Sequence, residues 1–358
     1  MLERIPYTGQ LPASFFELPR RLYADQPFAP AEDAAAVRQL FEQEAAQHEI
    51  IIYTDHQNLR LVGLFPLAGE AAYFGFWETT DDAALNAEAF AVLAADADWL
   101  GKTSIVGPLH FNTFQRYRLR LDPAPSWQQF DREPVNPAYY PRLLASLGFT
   151  PKLHFESRRL QAVDVPLAYQ QKQPALEELT RIPFDFIALT PATWPLLADE
   201  LYQLVHEVFS QNPAYKAVPR AQFDALYNPA FAARLCPHSS VLFRDQASGR
   251  LAALSLCQPN YHGLNLPPDV APVFERDYPR LPRKTLLVKT VGVHPDFRQR
   301  GLQDLLAAYA MRSFQQYYEE AIFCLMRADN YSLRFTKDLP VETAHYALFE
   351  RLARLARV

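Results

Sequence analysis

Hydrophobic and polar positions along the first half of the chain predict helices followed by a sheet. Apolar residues recur every three or four positions across residues 11–23 and 32–47, as in amphipathic helices. Three β-like runs follow, with Asp55-His56-Gln57-Asn58 as the first turn between them. The elements predicted for this half are helices at 11–23, 32–47, 80–100 and 137–147 and strands at 50–54, 59–65, 72–78, 103–106 and 153–163.

The second half of the chain repeats this order of elements. Thr190 followed by Pro191 is a strong helix start, and two helices again precede three strands. The predicted elements are helices at about 190–208, 220–235, 302–317 and 332–338 and strands at 239–243, 251–257, 285–293, 321–326 and 342–349. The repetition predicts two tandem α/β domains of low mutual sequence identity. We expect them at residues 1–168 and 179–358, joined by a Lys- and Gln-rich linker at 169–178.

Composition narrows the class of protein. The 358 residues carry 35 Lys and Arg against 40 Asp and Glu, so the net charge of −5 lacks the basic excess of proteins that act on nucleic acid or anionic membranes. Cys236, Cys257 and Cys324 are too far apart for a CxxC metal or redox motif. No signal-peptide-like or membrane-spanning apolar stretch is present, so we expect a cytoplasmic protein without a bound metal or a membrane partner.

The most informative segment runs from Lys289 to Leu306, where a buried strand ends in a loop that opens a helix. The loop carries Arg298, Arg300 and Gly301 in a chain that has only 11 glycines. The first N–H groups of a helix are unpaired and carry the positive end of its dipole, so this arrangement favours a bound phosphate. Six basic residues against one acidic residue between positions 280 and 300 support an anion site, and a solvated basic loop is the alternative.

The same residues resemble the phosphate loop of the GNAT superfamily of acyl-CoA-dependent N-acyltransferases. In that family a strand ending in Val-x-Pro leads to an Arg/Gln-x-x-Gly-x-Gly/Ala loop. Here Val293-His294-Pro295 is followed by Arg298-Gln299-Arg300-Gly301-Leu302-Gln303, with Gln303 in place of the last small residue. The resemblance implies that this loop holds the CoA pyrophosphate. It also implies that pantetheine lies between two splayed strands and contacts Val291, Val293 and Asn330.

The resemblance further implies direct transfer without a covalent enzyme intermediate. A neutral amine attacks the thioester carbonyl, a strand N–H near Gly292 or Val293 stabilises the oxyanion, and an acid protonates the leaving thiolate. Many family members place a tyrosine acid about two turns beyond the position that Asn330 occupies here. Lys337 stands at that place, which leaves Tyr331 as the candidate catalytic acid.

The general base is left open among three residues, Glu78, His262 and Glu342. His294 has the residue type of a base, but histidines at strand ends are often simply hydrogen-bonded. We therefore expect His294 to have a structural role.

The first half resembles the N-terminal half of bacterial two-domain GNAT-like proteins. The segments that carry this resemblance are Phe74-Gly75-Phe76-Trp77-Glu78, Asp81-Asp82, Trp99-Leu100, Gly107-Pro108, Tyr139-Tyr140-Pro141 and Gly148-Phe149. The resemblance implies two tandem GNAT-like domains, each a mixed, mostly antiparallel twisted sheet flanked by helices. No Arg-x-x-Gly loop opens the helix after Glu78, so we expect no CoA in the N-terminal copy.

Together these features predict an acyl-CoA-dependent N-acyltransferase. The expected co-substrate is acetyl-CoA or a longer acyl-CoA, and the expected acceptor is an amine of a small molecule. One alternative is an aminoacyl-tRNA-dependent Fem-like transferase, which the net charge of −5 disfavours. The other is a non-catalytic CoA-binding or scaffold protein. The oligomeric state is left open.

Overall fold

A computed structural model describes residues 1–25, 32–122, 127, 129–212, 215–267 and 269–354. A 3-10 helix at Ala13–Phe16 precedes the first α-helix. The other elements of the first half are β1 (Glu3–Pro6), α1 (Glu17–Leu22), α2 (Ala34–Glu44), β2 (His48–Thr54), β3 (Leu59–Pro66), β4 (Ala71–Thr79), α3 (Ala83–Trp99), β5 (Ser104–Gly107), β6 (Leu119–Arg120), α4 (Tyr140–Ser146) and β7 (Thr150–Leu160).

The second half begins with the helix α5 (Val165–Glu178), which packs against the later helix α10 (Leu302–Met311). Its elements are α5 (Val165–Glu178), β8 (Phe184–Ala188), α6 (Trp194–Phe209), α7 (Arg220–Leu226), α8 (Pro229–Ala233), β9 (Val241–Asp245), β10 (Leu251–Pro259), α9 (Phe274–Asp277), β11 (Thr285–Val293), α10 (Leu302–Met311), α11 (Phe314–Tyr317), β12 (Glu320–Arg327) and β13 (Glu342–Leu352). Further 3-10 helices lie at Ala162–Asp164, Tyr261–Leu264, Tyr278–Arg280, Pro295–Arg300 and Tyr331–Thr336. None of the described helices is long and apolar enough to cross a membrane.

The chain forms two units, each with its own run of neighbouring strands. The first unit comprises Met1–His154 and the C-terminal segment from His345, and the second comprises Phe155–Ala344. In the first unit the strand order is β1-β2-β3-β4-β5-β13, and in the second it is β7-β12-β11-β10-β9-β8. Within each unit one described pair of strands is parallel, β4–β5 in the first and β11–β12 in the second, and the other described pairs within the units are antiparallel. The predicted mixed, mostly antiparallel sheet is therefore confirmed for both units.

Each unit takes its last strand from the other half of the sequence. The part of β7 from Phe155 pairs antiparallel with β12 in the second unit, whereas β13 from His345 pairs with β5 and β6 in the first. The units therefore differ from the continuous domains expected at 1–168 and 179–358. The difference arises because alternating apolar residues indicate a strand but do not specify which sheet edge it joins.

Residues 169–178, expected to be a linker, lie in α5. This helix has a polar outer face, which explains the Lys- and Gln-rich composition, and a buried face formed by Val165 and Ala168. Farther along, Ala175 and Leu176 pack against the core cluster that contains the start of α10. Tertiary packing therefore stabilises a helix in a segment whose composition alone resembles a linker.

Two long predicted helices are interrupted. The helix expected at 220–235 is split because Asn228 accepts a hydrogen bond from the Phe231 N–H and caps a new helix that begins at Pro229. The helix expected at 302–317 ends at Met311, and the short helix α11 follows it. The strand predicted at 285–293 is β11, with the predicted bounds.

Candidate functional site

The parallel strands β11 and β12 separate at their C-terminal ends. Their ladder runs from Thr285 opposite Glu320 to Val288 opposite Phe323 and then stops, although both strands continue. β12 bends at Leu325, whose φ of 60° lies in the left-handed region, and its register against β7 shifts between Phe323 and Met326. Beyond Val288, the separation leaves one edge of β11 without a neighbouring strand among the described residues.

Backbone N–H groups of β11 line this open edge. The His294 N–H donates to the Ala252 carbonyl on β10 at 2.8 Å. Because successive residues of a strand alternate in direction, Gly292 also points its N–H toward β10, whereas Val291 and Val293 point theirs away from it. The structure thus places Val291 and Val293, which the sequence selected, on the edge that β12 has left.

The loop after β11 ends in an uncapped helix start. The 3-10 helix Pro295–Arg300 leads to Gly301, whose φ is 67°, and α10 begins at Leu302 without a side-chain cap. The N–H groups of Leu302 and Gln303 therefore have no acceptor within the helix. A Cβ at Gly301 would meet nothing within 4 Å, so the backbone conformation rather than crowding favours glycine here.

His294 holds the beginning of this loop. Its Nδ1 accepts a hydrogen bond from the Asp296 N–H at 3.1 Å and caps the 3-10 helix. Its Nε2 lies 2.6 Å from a carboxylate oxygen of Glu207 on α6, and the side chain is buried. This is the structural role expected for His294.

Cationic side chains surround the helix start. Arg298 and Arg300 are exposed, and Arg300 lies 3.2 Å from Asp245. Hydrogen bonds from Ser248, followed by the charge of Arg300, hold the pKa of Asp245 below its usual range. Lys172 of α5 lies 3.0 Å from Asp304 in the first turn of α10. Sequence reasoning missed Lys172 because 132 positions separate it from Asp304 and no local pattern connects them.

An apolar cleft lies beside the open edge of β11, with a space of about 630 Å³ when the open solvent at its mouth is included. Its polar lining side chains are Lys172 and Ser255. The apolar lining comes from β7, α5, β11, α10, α11, β12, the last 3-10 helix and the segment that follows it. The lining residues are Leu160, Val165, Ala168, Leu286, Val288, Val291, Leu306, Ala307, Ala310, Met311, Phe314, Ala321, Phe323, Phe335 and Leu339. Such a cleft suits a slender, partly apolar chain that exposes its polar groups to a strand edge.

The predicted acid lies outside the lining of this cleft. The Tyr331 side chain is 38% exposed, and the Arg334 guanidinium lies over its ring at 4.4 Å. Asn330 and Lys337 are also exposed, at either end of the same 3-10 helix. From this part of the chain, Phe335 and Leu339 line the cleft instead.

The three candidate bases are not brought together at the cleft. Glu342 lies 2.9 Å from Arg159 in an ion pair. His262 belongs to the 3-10 helix Tyr261–Leu264 and does not line the cleft, and Glu78 belongs to the first unit. No group of three or more His, Cys, Asp or Glu residues is arranged for a metal ion in the part of the chain that the structure describes.

The first unit contains the same separation of parallel strands, but it is filled. The ladder between β4 and β5 ends at Tyr73 opposite Val106. The segment after β5 then lies against β4, because the Leu109 N–H donates to the Phe74 carbonyl at 2.8 Å and the His110 ring stacks on Phe76 at 3.9 Å. A Cβ at Gly75 would lie 2.4 Å from the Leu109 carbonyl oxygen, so glycine permits this close approach.

Comparison with known proteins identifies the fold. No protein-family model matches the chain, and no curated protein sequence shows significant similarity to it. The structure is similar to a tandem GNAT protein from the clavulanic acid biosynthesis pathway, with 12% identity, a TM-score of 0.52 and coverage of 99% of this chain and 100% of that one. It is also similar to a conserved protein of unknown function from Enterococcus faecalis, described as a probable N-acyltransferase, with 9% identity, a TM-score of 0.56 and coverage of 99% and 73%. The chain therefore has the tandem GNAT fold, in which two GNAT-like domains follow one another.

Proposed function

We propose that the second unit binds acyl-CoA and transfers its acyl group to an amine of a small molecule. The observation that carries this proposal is the juxtaposition of an uncapped helix start at Gly301, an open strand edge at Val291 and Val293, and an apolar cleft. The tandem GNAT fold supports it, because acyl-CoA-dependent transfer is the chemistry that the resemblance implies.

The residues present suit the three parts of CoA. The diphosphate would accept hydrogen bonds from the N–H groups of Leu302 and Gln303, with Arg298, Arg300 and Lys172 supplying positive charge. The phosphate loop predicted from the sequence comprises Arg298, Gln299, Arg300, Gly301, Leu302 and Gln303, and Lys172 of α5 is added to it in this proposal. The pantetheine arm would lie in the apolar cleft and pair with the backbone of Val291, with Asn330 near its path.

In this proposal the chain stabilises charge at the reacting carbonyl. The Val293 N–H lies on the open edge and would donate to the carbonyl oxygen as negative charge develops there. The amine nitrogen forms the new bond to the carbonyl carbon and loses a proton to water, the carbon–sulfur bond breaks, and the thiolate takes a proton. Tyr331 is the proposed proton donor, although its exposed side chain would have to turn toward the cleft.

A thiol-release assay tests the proposal. Acetyl-CoA and longer acyl-CoAs are mixed with pooled polyamines, amino acids and amino sugars, and free thiol is followed over pH. Since the acceptor must lose a proton from an ammonium group of pKa near 10, the rate is expected to rise with pH. Absence of acceptor-dependent thiol release across the panel, despite tight CoA binding, would contradict the transferase.

A second candidate is a non-catalytic acyl-CoA-binding protein. The observation that favours it is the lining of the cleft, where Lys172 and Ser255 are the polar side chains and Tyr331 is absent. Both candidates predict CoA binding, and they differ in turnover. A Tyr331→Phe variant that loses about a hundredfold in rate at unchanged CoA affinity would support the transferase and the role of Tyr331.

A further inference from the structure

The first unit contains a second, polar cavity, with a space of about 390 Å³ when the open solvent at its mouth is included. It lies between the C-terminal end of β4 and the segment that follows β5. The residues that give it chemical character are Tyr23, Glu78, His110, Arg116 and Tyr140. Nothing in the proposed acyl transfer uses this cavity.

Glu78 presents one carboxylate oxygen to the cavity. The side chain is buried, with 5% of the residue exposed. Its Oε2 accepts hydrogen bonds from the hydroxyls of Tyr23 at 3.0 Å and Tyr140 at 2.8 Å. Its Oε1 has no hydrogen-bond donor among the described residues. Burial raises the pKa of Glu78, although Arg60 and Arg116 oppose that effect. A cationic group bound at Oε1 would favour the charged carboxylate.

The cavity also presents a cation without a full set of acceptors. Arg116 donates from Nη2 to the Val135 carbonyl at 3.4 Å, and its other nitrogens have no acceptor in the described ranges. It forms no ion pair with Glu78 there, although both line the cavity. Arg118, whose guanidinium lies over the Tyr117 ring at 3.8 Å, adds positive charge to the same wall.

His110 also lines the polar cavity, and its imidazole is neutral. Burial, followed by the charges of Arg116 and Arg60, lowers the pKa of His110 well below its usual range. The ring is held in place by stacking on Phe76, with an interplanar angle of 10°. A neutral imidazole offers one hydrogen-bond donor and one acceptor to a ligand.

We propose that this cavity binds a small zwitterion of the amino-acid type, with its ammonium group on Oε1 of Glu78 and its carboxylate on Arg116. A buried carboxylate and a half-buried guanidinium that do not pair with each other leave both charges incompletely compensated, and a ligand that carries both complementary charges satisfies both. The rings of Tyr23, Trp77 and Tyr140 line the cavity and favour an ammonium group through cation–π attraction. The proposal requires no CoA and stands apart from the function of the second unit.

Titration calorimetry with the twenty common amino acids and with ω-amino acids tests this site. At least one compound is expected to bind, and its two matched analogues, the amine without the carboxylate and the acid without the ammonium, are expected to bind at least about tenfold more weakly. Glu78→Gln and Arg116→Gln should each weaken binding by a similar factor, while affinity for CoA stays unchanged.

The surface pair Arg142 and Asp81 in the same unit provides matched controls, since both side chains are exposed and lie 2.6 Å apart. Asp81→Asn and Arg142→Gln should leave amino-acid affinity unchanged. Thermal unfolding checks that the variants fold, and Arg116→Gln is an independent test if Glu78→Gln is unstable. Absence of binding by the whole panel, equal binding of the amine analogue, or full affinity in a folded Glu78→Gln or Arg116→Gln variant would overturn the proposal.

Discussion

Arg300 distinguishes a phosphate site from a solvated basic loop at the scale of a single residue. Its side chain is 53% exposed and lies near the uncapped start of α10. Arg300→Glu replaces an attractive charge with a repulsive one, so CoA affinity measured by calorimetry is expected to fall about 10- to 100-fold.

Arg280→Glu is the matched control for this variant. Arg280 is 57% exposed and pairs with the buried Asp277 at 2.9 Å, much as Arg300 pairs with Asp245. It precedes β11, whereas the phosphate loop follows that strand. Equal loss of CoA affinity in both variants, or unchanged affinity in Arg300→Glu, would contradict the proposal that this loop binds the CoA diphosphate.

Gly301 allows a test of the loop's conformation. Its φ is 67° and a Cβ added there would have no atom within 4 Å, so Gly301→Ala introduces strain but no clash. The free energy of unfolding is expected to fall by about 1 kcal/mol, and by less in Gly301→Asn because asparagine tolerates this region better. Denaturant titration measures both variants. An alanine variant as stable as the parent would show that the loop adopts another conformation.

Glu133 predicts a pH dependence of stability in the first unit. It is buried, pairs with Arg120 and accepts a hydrogen bond from the Tyr346 hydroxyl at 2.8 Å. Burial raises the pKa of Glu133 from 4.5 to about 7 despite Arg120. Between pH 4.5 and about 7, Glu133 in the folded protein keeps a proton that the unfolded chain has released. The free energy of unfolding of the protein should therefore fall as pH rises through this range, by up to about 3 kcal/mol.

Chemical denaturation at pH 4.5 to 8 measures this dependence. Glu133→Gln should flatten the fall in stability, since glutamine does not titrate. Glu350→Gln, at a partly exposed carboxylate that pairs with Lys152, should retain it. The same slope in the parent and in Glu133→Gln would contradict the raised pKa.

At the scale of elements, local sequence signals were sufficient to predict the strand and the loop of the proposed phosphate site. The apolar run of β11 and the glycine after it specified Thr285–Val293 and the helix start at Leu302. The parting of β11 and β12 depends on a bend at Leu325, whose positive φ no local pattern indicates. Likewise, the exchange of β7 and β13 depends on pairing across the whole chain, which residue alternation does not encode.

The candidate chemistry was predicted less completely than the loop. Val291 and Val293 lie on β11 and Gly301 precedes α10, because backbone geometry follows from the strand-loop-helix pattern. Their contacts with CoA stay a prediction. Tyr331 does not line the cleft, since a sequence position near a helix start does not fix the direction of a side chain. Lys172 was missed because tertiary packing of α5 on α10 brings it to the site.

The apolar cleft is formed by several helices and strands, and a bulky side chain introduced into its lining can fill it. Ala307 of α10 lines it, so Ala307→Trp should place an indole where the acyl-pantetheine chain is proposed to lie. Acyl-CoA affinity is expected to fall more than about tenfold, with a loss of stability of about 1 to 3 kcal/mol at most. Ala221→Trp, at an exposed position of α7, is the control. Full affinity in a folded Ala307→Trp variant would place the ligand elsewhere.

At the scale of the whole molecule, the two units differ in what occupies the space between their two separating parallel strands. In the second unit the edge of β11 is open beside an apolar cleft and an uncapped helix. In the first unit Leu109 and His110 fill the corresponding space, and Asp82 caps α3 through the Leu85 N–H at 2.9 Å. This difference is the reason for proposing acyl-CoA as the ligand of the second unit and a different ligand for the first.

The most direct test of this account is a crystal structure of the full chain grown with acetyl-CoA. It should show one CoA per chain, with the diphosphate beside Gly301 and the pantetheine arm along Val291 and Val293. No CoA should lie beside Asp82 at the start of α3. Two equivalent CoA molecules per chain, or a single one bound in the first unit, would contradict the assignment of acyl-CoA to the second unit.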